Sequence, residues 1–217
     1  METEKRFKEL KEVILKRAKE GSACHEQYRR AYLSETLPEL MQVVKDNFLW
    51  ACNFKVITPG LMERYREEFA GNGIYLNVDV KSGYLLCCSA TVSASGNATV
   101  KAFGDATVSA FGDAIVSASG NAMVKAFDKA TVTAHGIATV KAFDKASVTA
   151  YDKATVTAYG NATVTAYGLA TVYASGNAYI SSPTKMIECK LSDNAIYRVL
   201  SENTIYYSGD SLTFRNV

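Results

Sequence analysis

From Ala90 onward the chain repeats itself every eight residues, and no other feature constrains its fold as tightly. Eleven successive octads, Ala90 through Asn177, follow A-[T/S/I/M]-V-x-A-[F/Y/S/H]-[G/D]-[N/D/K/I/L], and a twelfth, AYISSPTK, is degenerate. Ala, Val and Ala hold positions 1, 3 and 5, while Thr and a polar residue usually hold positions 2 and 4. That alternation describes a four- or five-residue strand with one apolar face. Positions 7 and 8 are mostly Gly-Asn or Gly-Asp, as at Gly96-Asn97 and Gly160-Asn161, residues that tolerate positive φ and let the chain turn a corner. Where glycine is missing, Asp128-Lys129, Asp144-Lys145 and Asp152-Lys153 stand in its place, with an Asx turn as the expected closure.

Gly, Asn, Thr and Val recur too often for a helix, and a hairpin every eight residues would leave strands too poor in side-chain volume to hold a sheet. Stacked coils remain, with equivalent octads lying ~4.8 Å apart and pairing their backbones. The expected fold is therefore mainly β: a parallel β-solenoid of eight-residue repeats behind an α-helical N-terminal domain. Two octads per coil give a flat 16-residue roll, and three give a triangular 24-residue coil. Ala and Val fill a triangular interior poorly, which favours the flat roll. At 16-residue spacing Phe111, Phe127, Phe143 and Tyr159 form one aromatic column, and His135 substitutes for a ring in the other. The near-identity of the octads starting at 90 and 114, and the similarity of those at 98 and 122, supply a competing 24-residue echo.

Residues 1–73 carry helical spacing. Phe7, Leu10 and Ile14 form one apolar stripe, Tyr28, Tyr32 and Leu33 a second, and Thr36-Leu37-Pro38-Glu39 reads as a capping box opening a helix through Phe48 and Ala51. Thr58-Pro59 opens another, expected to run through Met62, Tyr65 and Phe69 to Gly71. Strand-like segments over 74–89 are expected to cap the solenoid, which spans 90–185. The stretch 186–217 reads as a strand-rich C-terminal cap with a turn at Gly209-Asp210.

With 24 Lys and Arg against 22 Asp and Glu, the charge balance announces no polyanion-binding surface. The start METEKRFKEL is no signal peptide and no segment reaches membrane-span length, so a cytoplasmic protein without membrane association is expected. Five cysteines with no CxxC pair fit reduced thiols. Only His25 and His135 are available as imidazoles, the Asp residues sit in corners, and neither a phosphate loop nor a metal-ligand cluster is present. These residues predict no enzyme and no cofactor.

The ATVxAxGN octads, with ETLPELMQVVKDNF and LMERYREEFAGNGIYLN, resemble uncharacterised octapeptide-repeat proteins of phages and mobile elements of gut bacteria. By analogy with other small phage proteins, the resemblance implies an inhibitor of host defence, such as an anti-CRISPR protein. The expected function is a non-catalytic protein-binding module that presents a rigid solenoid wall, its partner a host defence nuclease or its complex. The candidate contact residues are Met123, Lys125, Phe127, Lys141, Phe143 and Tyr159, and the apolar departures Ile115 and Met123 are expected to mark that surface. A nucleic-acid binder using MERYREEF as a reading helix, and a structural or self-assembling solenoid, are the alternatives. Thr131/Thr133, Thr155/Thr157 and Thr163/Thr165 also resemble the flat threonine arrays of ice binders, but Lys101, Lys125, Lys141, Ile115 and Met123 interrupt the array, and exposed Thr is a good strand residue in any case.

Overall fold

The computed structural model describes residues 2–208, which divide into two units. The turn expected at Gly209-Asp210 lies outside the described residues. The first unit runs to Leu76 and takes in Gly83–Leu86. It holds α1 (Glu2–Glu20), α2 (His25–Leu33), α3 (Leu37–Asp46), α4 (Phe48–Asn53), α5 (Pro59–Arg64) and α6 (Arg66–Ala70), with the parallel strands β1 (Ile74–Leu76) and β2 (Tyr84–Cys87). The stretch 74–89 is thus divided between the two units rather than forming one cap.

The apolar stripe of α1 is buried at Leu10 and Ile14. Thr36 caps α3, its Oγ1 accepting from the Glu39 amide, while the Glu39 carboxylate accepts from the Glu35 amide, one residue short of a reciprocal box. Two expected helices are each broken in two. Asn47 (φ −120°, ψ 24°) separates α3 from α4, and Tyr65 (φ −118°, ψ 38°) separates α5 from α6. At Asn47 the side-chain Nδ2 donates to Val43 O at 2.8 Å, a local side-chain-to-backbone bond of the kind that competes with helix continuation.

The second unit, residues 77–82 with 87 onward, is a parallel β-solenoid. One sheet, here sheet 1, stacks β3 (Thr91–Ala94), β5 (Thr107–Ala110), β7 (Met123–Ala126), β9 (Thr139–Ala142), β11 (Thr155–Ala158), β13 (Thr171–Ala174) and β15 (Glu188–Leu191) in order. Sheet 2 stacks β4 (Thr99–Ala102), β6 (Ile115–Ala118), β8 (Thr131–Ala134), β10 (Ser147–Ala150), β12 (Thr163–Ala166), β14 (Tyr179–Ser182) and β16 (Ile196–Val199). Partners such as Val124↔Val140 and Val132↔Val148 are 16 residues apart, so the coil is the flat two-strand roll. The octads at 90 and 114, whose likeness suggested a 24-residue coil, fall in different sheets. Ala and Val of positions 1, 3 and 5 are buried throughout, from Val92 to Ala174. Side chains this small let two sheets approach closely and cannot fill a third side.

Coil stacking continues past position 185, where the regular repeat ends. A single extra residue shifts the pattern, giving Thr171↔Glu188 and then Tyr179↔Ile196, each 17 apart. Ile187, Cys189, Tyr197 and Val199 are buried, with Tyr197 Oη 2.6 Å from Ser182 Oγ. Larger inward residues hide the octad signal here without changing its geometry. The last strand, β17 (Thr204–Tyr207), reverses and pairs antiparallel with β16.

The corners are bonded as tightly as the strands: Phe127 N–H donates to Ala110 O at 2.9 Å and Lys129 N–H to Gly112 O at 3.1 Å. Asp128, Asp144 and Asp152 adopt φ of 57°, 56° and 58°, the left-handed conformation that glycine supplies elsewhere. Their carboxylates do not close Asx turns. Gly112, Asp128 and Gly136 each donate their backbone N–H to the Asp 16 residues ahead, at 3.0, 3.3 and 2.9 Å. Positive φ turns these side chains along the solenoid axis, toward the preceding coil.

Candidate binding surface

Sheet 1 and the corner that follows it gather the six candidate residues on one edge. Met123 and Lys125 project from β7, and Lys141 lies beside Lys125 in register on β9. Phe127, Phe143 and Tyr159 follow their strands at position 6. With Phe111 they form a stack of centroid spacing 4.8, 4.9 and 5.0 Å, with rings within 9° of parallel. The second column, after sheet 2, stacks His135, Tyr151 and Tyr167 at 4.8 and 4.9 Å, so His135 does serve as a ring. Ile115 belongs to sheet 2, on the opposite face from Met123, because 16-residue coils send adjacent octads to opposite sheets. The two apolar departures therefore mark no common surface.

Two lysines were missed. The stretch KAFDK occurs at 125–129 and again at 141–145, 16 residues on, which places Lys129 and Lys145 on the corner next to Phe127 and Phe143. The recurrence of this pentapeptide at the coil period was the available signal. Among the described residues, none of Lys125, Lys129, Lys141 or Lys145 lies within ion-pair distance of a carboxylate. Asp128 and Asp144 sit between these lysines in sequence but accept from backbone amides of the preceding coil. The result is a strip of four cations around two stacked phenyl rings, bordered at its upper end by Asp113.

Stacking decides what the strip can hold. Rings whose faces cover one another present only their edges outward, so nucleobases cannot stack along the column as they do on open aromatic platforms. Ring edges carry partial positive charge and add to the attraction of the lysines for carboxylates.

In the first unit several arginines are already paired with carboxylates. Arg6 pairs with Glu68, Arg64 with Glu9 at 3.6 Å, Arg66 with Glu63 at 2.5 Å, and Arg30 with Asp46 at 2.7 Å. The hydrogen bond from Arg6 holds the Glu68 carboxyl below its ordinary range, and those from Arg30 and Gln42 do the same for Asp46. The reading helix expected at MERYREEF is interrupted at Tyr65, and Arg64 and Arg66 are both engaged. On sheet 2, paired outward hydroxyls run unbroken only through β8, β10 and β12, bounded by Ile115 and Tyr179. Lys101 also lies on this sheet, buried, donating to Ser117 Oγ at 3.3 Å.

No family model, curated protein or solved structure matches the chain. Among the described residues no cluster of three or more His, Cys, Asp and Glu is arranged to hold a metal ion, and no helix is long and apolar enough to cross a membrane. None of the five cysteines is joined in a disulfide, and Cys87 and Cys189 are buried while Cys24 is exposed. Burial raises the Cys87 thiol and pushes that of Cys189 to about 12, disfavouring the thiolate at both.

Proposed function

We propose that the chain is a non-catalytic binding scaffold whose sheet 1 edge, Lys125, Phe127, Lys129, Lys141, Phe143 and Lys145, docks a protein partner through an acidic surface. The observation that supports this most is the in-register pair of KAFDK segments, whose four lysines have no carboxylate partner while the intervening aspartates are held by backbone amides. A parallel solenoid fixes the backbone that carries these groups at ~4.8 Å intervals, so no main-chain ordering entropy is lost on binding. The resemblance to phage octapeptide-repeat proteins makes the carboxylate-rich, metal-binding face of a host defence nuclease, including a CRISPR effector, the first partner to test.

The test compares the native chain with Lys125→Glu/Lys129→Glu/Lys141→Glu/Lys145→Glu by fluorescence anisotropy. The probes are a labelled 20-residue Glu/Asp peptide and a single-stranded DNA of equal charge. The peptide is expected to bind the native chain, and reversal to weaken it by about tenfold or more, since four screened contacts of ~0.2–1 kcal/mol each sum to about 1–4 kcal/mol, a tenfold change is ~1.4 kcal/mol, and reversal adds like-charge repulsion. Equal binding by the variant removes the strip from consideration. DNA binding that exceeds peptide binding and weakens steeply with salt would favour the nucleic-acid alternative.

A further inference from the structure

The aromatic column on the sheet 1 corner stops at Tyr159. Ser175 occupies the next position in the stack, its N–H donating to Ala158 O at 2.9 Å just as the Tyr159 N–H donates to Ala142 O at 2.9 Å, and Ser192 follows in the same way on Ala174 O. The backbone therefore continues the column for two more coils without rings. Beneath Tyr159 this leaves an open recess of about 260 Å³, lined by Tyr159, Tyr173, Ser175, Lys190 and Leu191 among others. Tyr159 is 38% exposed and Tyr173 39%, and Lys190 Nζ stands 5.5 Å from the centre of the Tyr173 ring.

We infer that this recess is a binding site for one planar aromatic ring, supplied as a side chain by the same acidic partner proposed above, on which reading this inference rests. The pitch sets the geometry. A ring seated at the level of Ser175 stacks on the uncovered face of Tyr159 at the spacing already repeated three times above it, with the Tyr173 side chain beside it and Lys190 held over Tyr173 and against Glu188 at 3.5 Å. Small Ser175 provides the room. The lysine strip lies two to three coils above Ser175, roughly 10–14 Å along the axis, which an extended segment crosses in about three to four residues. The partner segment thus carries acidic residues followed about three to four positions later by Trp, Tyr or Phe.

Amide chemical-shift titration of the full chain tests the site without requiring the partner. N-acetyltryptophanamide is expected to shift Tyr159, Tyr173, Ser175 and Ser192 saturably at millimolar concentration, while N-acetylleucinamide leaves them unmoved. Ser175→Phe, which continues the column with its own ring, is expected to weaken the response at least about tenfold, and Tyr159→Leu to abolish it. The reversal of the four lysines leaves this response intact, so loss of acidic-peptide binding and loss of the recess are separately visible. Absence of localised shifts, or an unchanged response in both Ser175→Phe and Tyr159→Leu, overturns the assignment. Stronger shifts with adenosine than with N-acetyltryptophanamide overturn the protein side chain as occupant.

Discussion

Two glycines separate backbone conformation from close packing. Gly136 and Gly176 both turn a solenoid corner, with φ of 67° and 69°, and both donate their N–H to an aspartate of the next coil at 2.9 Å, Asp152 and Asp193 respectively. They differ in what lies above them. A Cβ on Gly136 would meet only Gly120 N, at 3.6 Å, an ordinary contact, whereas one on Gly176 would meet Gly160 N and O at 3.0 Å and its Cα at 3.2 Å, all rigid backbone. Alanine at either place incurs the left-handed penalty of about 1–2 kcal/mol. At Gly176 the coil above must also give way, adding about 1–3 kcal/mol as in overpacked cores. Gly136→Ala is therefore expected to cost about 1–2 kcal/mol and Gly176→Ala about 2–5 kcal/mol. Urea unfolding followed by circular dichroism measures both. Amide exchange over 163–182 reads the local loss at Gly176, because a solenoid can open coil by coil. Equal costs, or a larger one for Gly136→Ala, would refute the claim that inter-coil contact rather than corner conformation limits this position.

Alkaline pH is expected to destabilise the last coils. Burial raises the Cys189 thiol from its ordinary 9.0, and the Tyr197 phenol from 10.0, to about 12 each. Because the folded state holds these protons more tightly, their contribution is intact below pH 9 and is lost as the pH rises toward 12. Melting temperatures across that window should fall less steeply in Cys189→Ala/Tyr197→Phe, and an unchanged slope would contradict the assignment. Removing 204–217 uncovers the edge of β16, whose described partners are β14 and β17. An open strand edge templates association, so light scattering of the truncated chain should rise with concentration while the full chain stays constant. Identical scattering would show that β17 does not protect that edge.

Strand positions were legible because each octad is locally complete. Ala-Val-Ala alternation and a left-handed corner specify β3 through β14 from nearest neighbours alone. The same completeness concealed the rest. The ring of Phe127 was legible as part of a column, but its face being covered on both sides follows only once Phe111 and Phe143 are placed 4.8 and 4.9 Å away. One extra residue between Ser182 and Ile187 displaced the reading frame, so the coil formed by Ile187 to Val199 escaped a search for exact repeats although its inward residues alternate like the others. In the helical unit, local patterning placed the starts at Thr36 and Thr58 through their side-chain caps, yet it carried both helices across Asn47 and Tyr65, where the backbone leaves helical φ and ψ.

By itself, then, the sequence determined that the chain would coil, where each strand would lie and which side chains would point inward, since φ preference and hydrophobic alternation act over two to eight residues. How many octads close a coil was a tertiary decision, set by how closely facing Ala and Val side chains let two sheets approach. That closure paired residue i with i + 16, sent Ile115 and Met123 to opposite faces, joined the two KAFDK segments into one cationic edge, and left Tyr159 with an uncovered ring above Ser175.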